Sequence, residues 1–282
     1  MAPTTPISEM TAGANSATLE PETLPQVVPF PPSLGQLLGA PLPGLADSGA
    51  TRFWVKVFLA AGNSRILNVR GVENIAPSQG AFILVANHNQ RLEALLLPAL
   101  LAYCRQGHLV HFFTDWLVML YPVIGSIVML HDPIVITQKK ARIDFLNRFK
   151  HRFETTESPL EKARRLLGQG GALGIFPEGT MNRDRSRLLR GHPGAAQLSL
   201  STGVPIVPAG IRFPGSSNRL GPISDLEPME IEFGTPLRPP SVNPDLLSPP
   251  QIRDWHGEIM QAVSRLSGKQ WSAKNQRTRY VS

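Results

Sequence analysis

Ala81-Phe82-Ile83-Leu84-Val85-Ala86-Asn87-His88-Asn89-Gln90-Arg91-Leu92-Glu93 contains a strand, a turn and the start of a helix. The first six residues form a short apolar run rich in β-formers, the pattern of a strand. The middle is polar. From Leu92 to Cys104 the apolar residues recur at helical spacing. Spacing also decides how His88 and Glu93 relate. On one continuous helix, five residues rotate a side chain by about 140°, too far for a direct bond. His88 therefore belongs in the turn after the strand and Glu93 in the first turn of the next helix, with Asn87 or Asn89 as its N-cap.

Working outward, strands and helical runs alternate. Ile66 to Val69, His108 to Phe113, Ile134 to Ile136, Ala172 to Phe176, Val204 to Ala209 and Met229 to Phe233 read as strands. Asp115 to Leu130 reads as one or two helices broken at Pro122. Ser158 caps a helix running to Leu167, with Pro159 at its first position and Glu161 at its third. Pro193 to Ser201 and Pro249 to Leu266 are further helices. This alternation predicts an α/β fold with a mixed central sheet flanked by helices.

Residues 1–48 are rich in Pro, Thr, Ser, Ala and Gly and show no lasting periodicity, so they read as a disordered arm. The folded domain is expected over 49–267. It opens on an amphipathic helix from Thr51 to Ala61, with Phe53, Trp54, Val57 and Phe58 at helical spacing beside Arg52 and Lys56. Two readings of that helix stand: one face packs on the core, or its aromatics enter a lipid headgroup boundary. The polar, basic tail 268–282 reads as frayed.

Ninety positions after His88 stands Glu178, in the string Phe176-Pro177-Glu178-Gly179-Thr180 at the end of a strand. Proline and then glycine force a tight turn, and Gly179 allows close approach of a ligand. In open α/β sheets ligands settle beyond the carboxyl ends of strands. Glu178 could accept hydrogen bonds from substrate hydroxyls or be a solvated turn residue. Arg183 and Arg190 in the loop beyond could hold an anionic headgroup, since the guanidinium fork matches phosphate, or could be solvated.

An imidazole with an ordinary pKa of about 6.5 can take a proton from a hydroxyl near neutral pH. A carboxylate on its second ring nitrogen fixes the tautomer. His88 with Glu93 has that composition. Taken alone the spacing is common, and the other histidines are assigned no such role.

With His88 to Glu93, Phe176 to Thr180 and Val204 to Pro208 in this order, residues of about 65 to 235 resemble the 1-acylglycerol-3-phosphate acyltransferase family of glycerolipid acyltransferases. That resemblance implies an acyl-CoA or acyl-carrier-protein donor, a lysophospholipid acceptor, no metal, no cofactor and no covalent acyl-enzyme. It makes His88 the general base and Glu93 its orienting partner. It also places Asn87, Glu178, Gly179, Thr180, Arg183, Lys139 and Arg190 at the substrate. The pattern departs from the family at four positions. Glu93 stands where Asp is usual. Gln138 takes the place of an acceptor-binding Arg, with Lys139 and Lys140 beyond. Met181 and His192 replace two further cations. An acceptor without phosphate, such as a lyso-aminolipid, and a catalytically weak lipid- or donor-binding protein remain as alternatives.

Composition bounds the rest. The 282 residues are 42% hydrophobic and 17% charged, and the formal net charge is +7. Such a balance suits an anionic partner. No nucleic-acid signature is present, which points to an anionic membrane surface. Residues 139–165 hold nine Lys or Arg against four Asp or Glu. The longest apolar stretch, Trp116 to Leu130, is shorter than the roughly 20 residues that cross a bilayer. A cytoplasmic protein attached peripherally to a membrane is expected. Cys104 alone can form no intramolecular disulfide and reads as a core residue.

Overall fold

The computed structural model describes residues 32–138, 140–215 and 221–275. The opening stretch folds as its pattern requires. β2 is Phe82–Ala86 and α3 is Glu93–Cys104. The other strands are β1 (Ile66–Arg70), β3 (Val110–Asp115), β4 (Ile134–Ile136), β5 (Ala172–Ile175), β6 (Ile206–Arg212) and β7 (Met229–Phe233). They form one seven-stranded sheet in the order β1-β7-β6-β2-β5-β3-β4. Each neighbouring pair is parallel except β6 and β7. The fold is therefore α/β with a mixed sheet.

β2 explains why the sheet is covered on both faces. All five of its side chains are buried. Phe82, Leu84 and Ala86 pack with Val55, Leu59, Leu96 and Leu100, while Ile83 and Val85 pack with Ala163, Leu198, Ile259 and Val263. The first set lies on α2 (Gly49–Gly62) and α3. The second lies on α7 (Pro159–Gly168), α8 (Gly194–Thr202) and α9 (Pro249–Ser267). A continuous apolar strand needs a layer on each side. α7 starts at Ser158, whose hydroxyl accepts from Glu161 N while the Glu161 carboxylate accepts from Ser158 N, a complete capping box.

α2 settles its two readings in part. Thr51, Val55, Leu59 and Gly62 are buried, so one stripe packs on the core. Burying Val55 and Leu59 contributes about 1.5–3 kcal/mol each. Phe53 stays 59% exposed on the outer face. The break near Pro122 is real: α4 (Trp116–Met119) ends before it and α5 (Pro122–Met129) begins on it. A short α6 (Asp144–Asn147) lies in the basic segment. Among the described residues no helix is long and apolar enough to cross a membrane.

Two expectations for the chain ends are corrected. Residues 33–48 are not part of a loose arm. α1 (Leu34–Gly39) is capped by Ser33 in a capping box with Gln36, and Leu37, Leu42 and Leu45 are buried in the core. Residues 1–31 lie outside the described part. The tail is not frayed through Asn275: Lys269 is buried, and the backbone of Gln270 exchanges hydrogen bonds with that of Ser186 and Leu188. Cys104 packs against the core as expected, and burial pushes its thiol up to about 12.

Candidate functional site

The two motifs meet because β2 and β5 are hydrogen-bonded neighbours. Their parallel register aligns Val85 with Ile175. His88 and Glu178 each lie three residues beyond that aligned pair, so the chain delivers them side by side at the carboxyl edge of the sheet.

His88 Nδ1 lies 3.1 Å from Glu93 Oε2. The histidine side chain is 15% exposed and the glutamate fully buried. Glu93 also accepts from Asn89 N at 2.7 Å and from Asn89 Nδ2 at 2.9 Å. Three donors thus fix the carboxylate, and the carboxylate holds the proton on Nδ1. His88 Nε2 makes no hydrogen bond to any described residue. The N-cap expectation is corrected here. Leu92 occupies that position without a side-chain bond, and Asn89 donates to the carboxylate of the helix's first residue instead of accepting from its amides.

The second motif clasps the His88 backbone from both sides. His88 N–H donates to Glu178 Oε1 at 3.3 Å, and Asn182 N–H donates to His88 O at 2.7 Å. Glu178 Oε2 accepts from Asn182 Nδ2 at 2.7 Å and Leu189 N at 2.8 Å. Glu178 is 4% exposed, and burial raises its carboxyl above the usual range against the pull of these donors and of Lys269. Its carboxylate is turned inward and binds the loop, which replaces its expected contact with substrate hydroxyls. Gly179 takes the left-handed conformation at φ 63°. A Cβ there would stand 2.9 Å from the His192 ring. Its N–H donates to Phe176 O at 3.1 Å.

Aromatic rings continue the site. Phe176 stacks on His88 with centroids 4.5 Å apart, and Phe112 lies 5.4 Å from Phe176. Gly174 makes room for Phe112: a Cβ at Gly174 would meet its ring at 2.5 Å. Phe112 then lines an apolar cavity of about 30 Å³, together with Leu95, Pro98, Ile127 and His131. Phe112 thus belongs both to the ring stack that reaches His88 and to the wall of this cavity.

Other expected residues are placed differently. Asn87 is fully buried. Its amide donates to Ile211 O at 3.0 Å and accepts from Ile211 N at 2.8 Å, so it pins β6 to the turn and does not face a substrate. Arg183 is engaged with Asp225 Oδ1 at 2.7 Å and Ile223 O at 2.6 Å, which corrects its reading as a free headgroup ligand. Arg190 is exposed and Thr180 half-buried. Lys139 lies outside the described residues. Asp132 turns to His111, 3.3 Å away, and Lys162, 2.7 Å away, not to its neighbour His131.

Sequence reasoning missed Phe176 as the ring on His88, Asn89 as a donor to Glu93, Asn182 as a tie of the clasp, and Lys269. Glu178 had its motif as a signal. For Lys269 no local pattern exists.

An imidazole tied to a buried carboxylate and stacked on Phe176 therefore stands at the carboxyl ends of parallel strands. The model of the Acyltransferase family matches residues 66–212, which is 147 of the 282 residues, and the chain belongs to that family. It is 27% identical over 143 residues to a chloroplastic 1-acyl-sn-glycerol-3-phosphate acyltransferase of Brassica napus, covering 50% of this chain and 36% of that one. It is 26% identical over 144 residues to the chloroplastic enzyme of Arabidopsis thaliana, covering 50% and 35%. A relative from Chlamydomonas reinhardtii is 26% identical over 182 residues, covering 64% and 49%. The chain thus spans between a third and a half of the length of these curated relatives. The crystal structure of the 1-acyl-sn-glycerophosphate acyltransferase PlsC from Thermotoga maritima covers 79% of both chains at 21% identity, with a TM-score of 0.48.

Proposed function

We propose that this protein moves a fatty acyl group from a thioester donor, acyl-CoA or acyl-carrier protein, to the hydroxyl of a lysophospholipid such as 1-acylglycerol-3-phosphate. The observation that carries the reading is His88 tied to Glu93 through Nδ1 with Nε2 left for a substrate. His88 Nε2 takes the hydroxyl proton as the oxygen attacks the thioester carbonyl. The carbonyl electrons return, the C–S bond breaks, and the thiolate leaves with the proton from the imidazolium. The apolar cavity behind Phe112 receives the start of an acyl chain, and it must widen for more than a methylene or two. The names of the relatives support the choice of acceptor. The His88→Ala variant is the test, with thiol release and ester formation measured on a lysophosphatidate acceptor. Turnover within about threefold of wild type discards the base.

One observation favours an acceptor without phosphate. Arg183 and Arg185 are neutralised by Asp225 and Glu227, the second pair through both guanidinium nitrogens at 2.8 Å. An uncharged or amino headgroup meets less competition there than a phosphate seeking those forks. Parallel assays with lysophosphatidate and a lyso-aminolipid decide between them. The weak-catalyst reading loses its main support, since Glu93 reaches the imidazole despite its extra methylene.

We place the protein on an anionic membrane face through its basic segment. Ile143 and Phe145 are 63% and 58% exposed, among the exposed Arg142, Arg148 and Arg152. Each such cation is worth about 1 kcal/mol near anionic lipid at low salt.

A further inference from the structure

Lys269 comes from far down the chain and is buried against the back of the His88–Glu93 pair. It follows α9 and is 4% exposed. Its Nζ donates to Asn89 Oδ1 and, at 2.6 Å, to Asp184 O. Asn89 Oδ1 also receives Asn87 Nδ2 at 3.2 Å. With its oxygen facing the ammonium, Asn89 turns Nδ2 to Glu93 Oε1. Ammonium, amide, carboxylate and imidazole form one line of hydrogen bonds that ends at His88 Nδ1.

The segment that carries Lys269 is zipped to the loop beyond the second motif. Gln270 N–H donates to Ser186 O at 2.7 Å, Leu188 N–H to Gln270 O at 2.9 Å, and Arg190 N–H to Asn275 O at 2.9 Å. Trp271 Nε1 donates to Arg190 O at 3.1 Å. The same loop supplies Leu189 N–H to Glu178. Residues 269–275 therefore strap down both halves of the site.

A buried ammonium is costly unless charges and acceptors surround it. Burial lowers the pKa of Lys269, while Glu178, Glu93 and Asp184 pull it up and Arg185 opposes them. The compensation is mutual. Glu93 and Glu178 are buried carboxylates, and Lys269 is the ammonium set among them. An ammonium is a donor only, so it admits one orientation of the Asn89 amide. The flipped amide would aim its oxygen at the Glu93 carboxylate.

We propose that Lys269 is a positioning residue for acyl transfer: it locks Asn89 so that Glu93 is held on His88, and its charge offsets the two carboxylates buried there. The proposal rests on His88 being the base. It makes the strap after α9 part of the site.

The test uses the full chain with Lys269→Met, of nearly equal length and no charge. Turnover is measured on a thioester donor and lysophosphatidate, with folding followed by circular dichroism. Asn275→Ala loosens the strap by removing the bond from its side chain to Leu188 O but keeps the ammonium. Lys269→Met is expected to lower kcat by about 10- to 100-fold with KM little changed. Asn275→Ala should lower the melting temperature. In Lys269→Met, kcat within about threefold of wild type, or a loss carried by KM alone, overturns the proposal. Should Lys269→Met fail to fold, Asn89→Ser cuts the same line, and wild-type kcat in that variant overturns it equally. His88→Ala is assayed in parallel. Retained turnover there removes the base and both readings. Lost turnover there with full activity in Lys269→Met removes the strap proposal alone.

Discussion

Replacing Glu93 by Gln keeps the size of the side chain and removes one charge. The fully buried carboxylate accepts from three donors: His88 Nδ1, Asn89 N and Asn89 Nδ2. An amide has one oxygen and one NH2. If the oxygen serves His88 and Asn89 N, the NH2 confronts Asn89 Nδ2 head-on. Asn89 cannot turn to relieve this, because its oxygen is held by Lys269. If the NH2 faces His88 instead, Nδ1 must accept, the ring proton moves to Nε2, and the base is blocked. The first arrangement leaves a buried donor unpaired, at about 1–3 kcal/mol of stability. Either way the imidazolium formed during transfer loses its counter-charge. In the serine protease triad the comparable change costs about 10⁴ in kcat, or ~5 kcal/mol. Glu93→Gln should therefore lower kcat/KM by about 10²- to 10⁴-fold while circular dichroism reports an intact fold. Thiol release from the donor, with the product checked by mass, is the assay. Activity within threefold of wild type would refute the orienting role of the carboxylate and the mechanism with it.

Gly174→Ala should displace the Phe112 ring, since the new methyl has no room. Overpacking of this kind costs about 1–3 kcal/mol, read by denaturant melts, and turnover should fall because Phe176 loses its support over His88. Stability should also fall as pH drops below the ordinary histidine value of 6.5. Burial lowers the pKa of His131, so the unfolded chain takes up its proton first, and protons favour unfolding through that window. His131→Gln, which does not titrate, should flatten the decline between pH 7.5 and 5.5 in urea melts. Phe145→Asp, at an exposed position, should weaken sedimentation with anionic vesicles and leave the melting temperature within a degree or two. Equal sedimentation would place the lipid contact elsewhere.

Local pattern made β2, the following turn and α3 legible, because a six-residue apolar run and helical spacing are properties of adjacent residues. The contact of His88 with Glu93 followed from the same reasoning. That β2 lies between β5 and β6 was not legible. Only the register of the sheet shows why His88 and Glu178 stand side by side. The engagement of Arg183 escaped sequence reading for a related cause: its partners Ile223 and Asp225 are 40 and 42 residues away, and Glu178 reaches His88, 90 residues away, as well as the nearby Asn182 and Leu189. Residues 33–48 were read as an arm because a six-residue helix is too short to show periodicity. Ser33 and Gln36, the two members of a capping box, were the signal that could have found it. Lys269 had no signal, since one lysine after a helix-ending glycine is ordinary.

The place of β2 in the sheet also bears on how the protein is made. Its neighbours are β5 and β6, which ends at Arg212. After Ala86 leaves the ribosome, 126 more residues must be translated before both edges of β2 can be paired. At about 5–20 residues per second that is roughly 6–25 seconds. Throughout that interval Phe-Ile-Leu-Val-Ala is an unsatisfied, uncharged strand, the kind of segment that nascent-chain chaperones hold. Yield on overexpression should depend on them more than on the stability of the finished protein.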